Sequence, residues 1–298
     1  MPDLVQVIQS LVSGIGVGLI YGLVGIGFCV IYNASGIVNF AQGVFVMLGG
    51  MITHVLLTRY GLHILVAALI AIPLVALIGI VIEMLVVRPM WDRGATMFAI
   101  ILATLAAQIM IERITILTAG DQPRTFAEFT LGGPLKIGPI AVSYQLFWIL
   151  GCGALMIVLL WLFFAKTRTG RALRACSQNR EAASLLGIPV WRMLMVSFAL
   201  SAALGAVAGI LVTPTQYTAF NVGVPFGVYG FIAAIIGGFG SASGALAGGV
   251  LLGAIQALAI VTFGAGYKNV VALSALLEQG LEQWAVAVGH LVVPLVWW

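Results

Sequence analysis

Long, uninterrupted runs of apolar residues, separated by short polar segments, dominate the chain. Many of these runs reach about 18 residues, the length at which an apolar stretch can cross a bilayer as an α-helix. They are continuous and do not alternate between apolar and polar positions, so they favour helices over the strands of a closed barrel. The pattern predicts an all-α, polytopic integral membrane protein with eight or nine transmembrane helices. The predicted spans are 8–31, 37–57, 63–87, 95–117, 145–165 and 193–213, then 227–263 as one kinked helix or two short ones, and 268–293.

The composition is that of a protein surrounded by lipid. The 298 residues are 62% hydrophobic and 7% charged, whereas soluble domains carry about 25% charged residues. Residues 1–298 are therefore predicted to form a single transmembrane domain. The start, Met1-Pro2-Asp3, lacks the basic residues of a signal peptide, and the first apolar segment is predicted to remain as a span.

One basic loop, residues 166–192, interrupts the apolar pattern. It holds six basic residues against one acid, Glu181, a local charge of +5. Basic residues beside membrane spans resist translocation, so the loop is predicted to be cytoplasmic. Counting spans from it places the basic segment 88–94 on the same side, and the neutral segment 119–144 and the N-terminus outside. The net charge of +4 comes largely from this loop and indicates orientation, not nucleic-acid binding.

Polar residues cluster between the first two spans, in the segment 32–43. Asn39 and Gln42 lie there beside two glycines, and Thr104 lies within an otherwise apolar span. Polar side chains at membrane depth tend to face a pathway, and a broken helix can offer backbone groups to a polar solute. Asn39, Gln42 and Thr104 are therefore predicted to line a substrate path. A plain cytoplasmic turn, or hydrogen bonds that only hold helices together, are the alternatives.

A glycine-rich stretch, 237–253, favours close packing of helices, with a helix break near the solute path as the alternative. It is not a phosphate-binding loop, because no lysine follows in the GxxxxGK[ST] arrangement, and the whole chain lacks that motif. Any chemistry on ATP is therefore expected to belong to a partner.

Ionisable and metal-binding residues give little support to an enzyme. Glu83 and Glu112 lie within apolar segments, where snorkelling or a structural ion pair near the membrane interface is favoured over a functional role. The three cysteines and three histidines are scattered, and no Ser/His/Asp arrangement occurs. No catalytic residue, bound metal or cofactor is predicted.

Four short segments follow one another along most of the chain. Asn39 to Gly43 reads NFAQG, Glu83 precedes Arg88-Pro89, Thr167 to Ile188 opens with T-x-x-G-x-A-x-R-A, and Gly237 to Ala245 reads GG-x-GS-x-x-GA. Together they resemble the NFA[HQ]G, E…RP, EAA-like and GG-x-GS-x-x-GA elements of the permease subunits of bacterial ABC importers for branched-chain amino acids. The resemblance rests on the four elements together, in this order.

The resemblance implies a division of labour among several subunits. The expected partners are cytoplasmic ATP-binding subunits, a second related permease and a periplasmic or extracellular solute-binding protein. The expected location is the bacterial cytoplasmic (inner) membrane, with several passes. The resemblance also implies an ATPase-coupling helix within the loop 166–192, formed around Glu181, Ala182, Ala183 and Gly187.

Three departures from the family pattern are visible, and the solute is left open. Val44 stands where many relatives have an acid, Tyr229 stands where relatives often have a lysine, and the tail after Leu277 lacks the family's basic, proline-containing ending. One alternative is the same architecture importing urea, short amides or other amino acids. The other is a secondary transporter, which would need an intramembrane ionisable group or an ion site of unwound backbone.

Overall fold

The computed structural model describes residues 4–130, 132–137, 139–270 and 272–274, and they are mostly helical. A two-stranded antiparallel hairpin, with Leu135 paired to Val142, is the only sheet among these residues. The elements are α1 Leu4–Ser35, α2 Gln42–Tyr60, α3 Ile64–Ile82, a π-helical turn Glu83–Val87, α4 Arg88–Asp92, α5 Met97–Ala119, β1 Leu135–Ile137, β2 Ile140–Val142, α6 Tyr144–Lys166, α7 Arg168–Gln178, α8 Arg180–Leu185, α9 Val190–Gln216, α10 Gly223–Ile236, α11 Ala242–Phe263 and a 3₁₀ turn Ala265–Tyr267.

Seven helices in the described part of the chain are long and apolar enough to cross a membrane. They are α1, α2, α5, α6, α9, α11 and a continuous span, Ile64–Asp92, that joins α3, the π-helical turn and α4. The shorter apolar helix α10 brings the number to eight. The predicted polytopic all-α fold is confirmed, and its count of eight or nine is consistent with the structure. The predicted last span, 268–293, lies largely outside the described residues, and the tail after Leu277 lies wholly outside them.

The helices divide into a buried centre and an exposed periphery. Residues 16–31 of helix α1 are almost wholly buried, and the helix packs against α9, α10 and α11. By contrast, α3, α5 and α6 carry exposed apolar side chains along their length, including Leu69, Phe98 and Trp161. Those surfaces are suited to lipid, whose tails are as apolar as the side chains themselves. The residues that could form a path through the protein must therefore be sought around α1 and α9.

Small residues allow the central helices to approach closely. A Cβ added to Gly18 of α1 would lie 2.6 Å from the carbonyl oxygen of Gly249 in α11, which no real side chain tolerates. The packing interpretation of the glycine-rich stretch is therefore correct for this pair. The stretch 227–263 forms two helices, because Gly238 and Gly240 between them adopt positive φ angles of 88° and 100°, which end the helical path.

The long polar segment after α5 is tied to the helix bundle by several hydrogen bonds, including one from Thr125 to the carbonyl oxygen of Thr213 at 3.0 Å. Arg124 and Thr218 form an isolated antiparallel bridge, with backbone hydrogen bonds of 2.8 and 2.7 Å. The Gln9 side chain of α1 bonds both backbone groups of Ala141 in β2, at 2.5 and 2.9 Å. The hairpin therefore lies at the N-terminal end of α1, whereas Ala34 at the other end of α1 packs against α7 and α8.

Candidate functional site

The basic loop 166–192 folds into two short helices, each begun by a side-chain cap. The Thr167 hydroxyl accepts a hydrogen bond from the backbone N–H of Gly170 at 2.9 Å, which starts α7. The Asn179 side chain accepts from the N–H of Ala182 at 3.0 Å, which starts α8. Such caps satisfy backbone donors that a helix start leaves free. The second cap lets α8, only six residues long, begin directly after α7.

Helix α8 ends in a Schellman motif. The N–H of Gly187 bonds the carbonyl of Ser184 at 2.9 Å, and the N–H of Ile188 bonds the carbonyl of Ala183 at 3.0 Å. Gly187 has a φ of 80°, the left-handed conformation that this motif requires and that glycine adopts without strain. Ala183 and Ile188 belong to a small apolar cluster with Leu173 of α7. This cluster holds α8 against the rest of the loop.

The opposite face of α8 is open. Leu185 and Leu186 are 90% and 82% exposed, and Glu181 and Ala182 are exposed beside them. Of the four residues predicted to couple to an ATPase, Ala183 alone points inward. Glu181, Ala182 and Gly187 are exposed, and the assignment of these four residues to ATPase coupling stays a prediction. The two exposed leucines were missed in the sequence, although their position just before a glycine at a helix end was the available signal.

A run of stacked side chains connects α8 to the ends of two membrane spans. The Arg180 guanidinium lies 4.9 Å from the ring centroid of Trp91, whose ring meets that of Trp191 edge-on at 6.1 Å. Arg88 covers the Trp191 ring at 5.4 Å. Burial lowers the pKa of Arg180, which remains a cation in any physiological range. Each stacked pair contributes about 0.5 to 2 kcal/mol, so α8 is linked to α4 and α9 by more than backbone.

Gln42 lies at the centre of a buried polar contact at the start of α2. The Ser201 hydroxyl of α9 is 2.5 Å from Gln42 Oε1 and 2.8 Å from the carbonyl oxygen of Gly27 in α1. Gln42 Nε2 donates to the carbonyl of Ser201 at 3.2 Å. Three helices are thereby joined through one amide and one hydroxyl, deep in the bundle.

Asn39 and Thr104 shape the non-helical segment between α1 and α2. Asn39 Oδ1 accepts from the N–H of Ala41 at 3.1 Å, while its buried Nδ2 has no hydrogen-bond partner among the described residues. Thr104 Oγ1 accepts from the N–H of Phe40 at 3.2 Å. Asn39, Gln42 and Thr104 are all fully buried in this conformation. Their assignment to a substrate path stays a prediction.

Glu83 is buried inside the protein, although the sequence predicted a side chain near the membrane interface. Its side chain is 0% exposed, and neither carboxylate oxygen has a hydrogen-bond partner among the described residues. The interpretation as a snorkelling or ion-paired residue is therefore wrong for Glu83, because the π-helical turn directs it inward and Arg88 stacks on Trp191 instead. For Glu112, Oε1 accepts from Gln108 Nε2 at 3.1 Å, which is a local structural contact.

A cavity of about 260 Å³ lies at the end of the bundle that carries the hairpin, between α1 and α11. Its polar lining includes Gln216, Gln256 and Lys268. Sequence reasoning assigned nothing to these residues. The available signal was a lone glutamine, Gln256, within the apolar run that became α11.

These features define a multi-pass helical membrane protein with a capped, partly exposed helix in its basic loop and no ATP-binding motif of its own. Residues 10–278 match the family model described as "Branched-chain amino acid transport system / permease component". The chain belongs to that family, and it is accordingly a multi-pass protein of the cytoplasmic (inner) membrane.

Curated relatives support the assignment over nearly the whole chain. It is 32% identical over 291 residues to the high-affinity branched-chain amino acid transport system permease protein BraD of Pseudomonas aeruginosa, covering 93% of this chain and 94% of that protein. It is 31% identical over 286 residues to LivH of Escherichia coli, covering 91% of both. Among solved structures, PsaBC from Streptococcus pneumoniae in complex with Fab matches 91% of this chain and 89% of its own, with a TM-score of 0.50 and 17% identity, a likeness of fold alone.

Proposed function

We propose that the protein is the transmembrane permease subunit of an ATP-binding-cassette importer that moves branched-chain amino acids into the cytoplasm. Cytoplasmic ATP-binding subunits would hydrolyse ATP, since the chain has no phosphate-binding loop. The observation that carries the proposal is α8, a helix capped at both ends that presents Leu185 and Leu186 to solvent. Exposed leucines on a rigid helix in a basic loop indicate a surface that a partner protein covers.

The charge around α8 suits the same partner. Glu181 lies in the first turn, where a carboxylate is favoured by the helix dipole. Its exposed side chain is available to a cation of the ATPase, and the surrounding arginines are available to acids. Complementary charges of this kind set the orientation of docking and increase the association rate.

The stacked residues next to α8 suggest how docking reaches the membrane. A displacement of α8 would carry Arg180, and through it Trp91 at the end of the span Ile64–Asp92. Trp91 meets Trp191 at the start of α9, the helix that also holds Ser201 against Gln42. Packed side chains are stiff. One movement at the loop would therefore act on α4 and α9 together.

Two further partners complete the proposal. A second related permease would line the path with this chain, and a periplasmic or extracellular binding protein would deliver the solute at the hairpin end. The orientation follows from the basic residues of the loop 166–192.

The deciding experiment is co-purification of the tagged chain with its ATP-binding subunits, followed by reconstitution with all partners in liposomes. ATP-dependent accumulation of radiolabelled leucine is expected, together with competition by isoleucine and valine. Competition by urea or acetamide instead would assign the solute to another class. Leucine accumulation driven by an ion gradient, without the ATPase, would refute the importer.

A further inference from the structure

We propose that the cavity between α1 and α11 is a receiving site for an α-amino acid, in which Lys268 and the Gln256 amide nitrogen bind the carboxylate and the amide oxygen of Gln216 binds the ammonium group. The inference rests on the proposed function and adds a site to it. The cavity opens at the end of the bundle opposite α8, because Gln9 in its lining bonds the hairpin residue Ala141. A solute delivered from outside would meet this end first.

Lys268 supplies a cation that forms no ion pair with an acid among the described residues. Among the described residues that line the cavity, Lys268 alone carries a charge. Its ammonium group lies 5.6 Å from the ring centroid of Tyr229, whose hydroxyl is bonded to Asn269. Contact with an aromatic face positions a cation while leaving its other donors free. A carboxylate is the natural partner for those donors.

The two amides complete a zwitterion site, Gln256 as a donor to the carboxylate and Gln216 as an acceptor from the ammonium group. Gln256 is almost completely buried, and its Nε2 has no hydrogen-bond partner among the described residues. Buried amide groups normally have partners, so an unpaired one in a cavity wall indicates a missing ligand. Gln216 lines the cavity from the end of α9 and makes no side-chain hydrogen bond within the described chain. The Gln256 Nε2 can donate to a carboxylate oxygen, and the Gln216 amide oxygen can accept from an ammonium group.

The remaining wall is apolar and of fixed shape. Val17, Ala257 and Ile260 supply the apolar surface that an aliphatic side chain needs. The two helices meet where a Cβ on Gly14 would lie 2.7 Å from the carbonyl oxygen of Gly253, so the wall cannot collapse further inward. The volume of about 260 Å³ is below the range of about 300–1,000 Å³ for drug-sized ligands and suits a single amino acid. The cavity therefore offers a partner for each part of leucine: a cation and amides for its charged groups, and an apolar wall for its side chain.

The test is direct binding to the complete permease–ATPase complex in nanodiscs, without the binding protein. Three probes are compared: leucine, leucinamide, which lacks the carboxylate, and 4-methylpentanoate, which lacks the ammonium group. Wild type is expected to bind leucine about tenfold or more tightly than either analogue, the value of a charge-assisted contact. Lys268→Gln is expected to weaken leucine about tenfold or more and to abolish the preference over leucinamide.

Control variants keep the outcome clear. Lys136→Gln removes an exposed lysine from β1, at the same end of the molecule, and should leave all three affinities unchanged. Lys268→Arg retains the charge and should recover most of the leucine binding, which a folding defect would not allow. Gln216→Leu should weaken leucine and leucinamide but leave 4-methylpentanoate unchanged, whereas Gln256→Leu should weaken both leucine and 4-methylpentanoate.

Two results would overturn the proposal. One is leucine affinity, and a leucine-to-leucinamide ratio, that are the same in Lys268→Gln as in wild type. The other is an anionic lipid that co-purifies with wild type, is lost from Lys268→Gln, and leaves leucine binding unaltered. Failure of the wild-type complex to accumulate leucine would refute the proposed function, whereas the site is judged by binding alone.

Discussion

The exposed leucines of α8 allow docking and folding to be separated in one experiment. The perturbation is the double substitution Leu185→Ala, Leu186→Ala. Because these side chains are 90% and 82% exposed, their removal takes almost nothing from the folded chain, and surface changes of this kind stay within about 0.5 kcal/mol. If both are covered by an ATPase, the same change removes most of the apolar contact from the interface.

The size of the effect follows from the area removed. A buried CH₂ is worth about 0.8 kcal/mol, so truncating one fully buried leucine to alanine costs about 2 kcal/mol. Two leucines give about 4 kcal/mol if the partner covers them completely, and about 2 kcal/mol if it covers half. Since 1.4 kcal/mol is about a factor of ten in an equilibrium constant, the ATPase should bind about 30- to 1,000-fold more weakly.

We would measure the affinity of the ATP-binding subunit for the permease in nanodiscs and record the thermal unfolding of the permease in parallel. Leu117→Ala is the matched control, because Leu117 is 85% exposed on α5 at the opposite end of the bundle. It should change neither quantity. A double variant that binds the ATPase within threefold of wild type would refute α8 as the docking element.

Three other experiments test separate parts of the structure. Gln42→Leu removes the contacts with α9 and should lower the stability of the complex by about 1 to 2 kcal/mol; reduced leucine uptake at unchanged thermal stability would instead support a role in the path alone. Burial raises the pKa of the Cys176 thiol, so its maleimide labelling, which needs the thiolate, should be slow at pH 7 and increase as the pH rises. A cysteine placed at the exposed position 177 by Ser177→Cys should label rapidly at pH 7, and only from the cytoplasm. Labelling of this cysteine in intact cells by an impermeant reagent would show that the predicted orientation is wrong. Gly249→Ala should lower the melting temperature, because its Cβ would lie 2.5 Å from the Gly18 carbonyl oxygen and overpacking costs about 1–3 kcal/mol. The control Gly153→Ala, whose Cβ would have nothing within 4 Å, should leave the melting temperature unchanged. Equal melting temperatures for the two variants would contradict the close contact of α1 and α11.

Features set by the local sequence were predictable. Apolar runs long enough to span a bilayer became the helices, and the charge of the loop 166–192 marked the segment that holds α7 and α8. Gly187 could be recognised as important because a glycine just beyond a short helix commonly supplies the left-handed residue that ends it. The caps by Thr167 and Asn179 follow the same local logic.

Features set by distant contacts were not predictable. The segment 32–43 left a plain turn and a broken helix equally open, since the partner of Gln42 is Ser201, 159 residues away. Glu83 was read as an interfacial residue because Arg88 follows five positions later. The π-helical turn changes which direction that stretch of the helix faces, and one residue of extra backbone per turn leaves no mark in the pattern of apolar positions.

Lys268 and Gln256 show most clearly where sequence reasoning ends. In the sequence, a single lysine after an apolar helix indicates the end of a membrane span, and a single glutamine inside an apolar helix indicates a packing contact. They acquire a common meaning only because Gly14 and Gly253 draw α1 and α11 together, which brings the end of α9 and Lys268 around one cavity. The glycines are visible in the sequence, but which helices they join is a property of the whole bundle. A polar residue in an apolar span is therefore best interpreted after the glycine contacts around it are known.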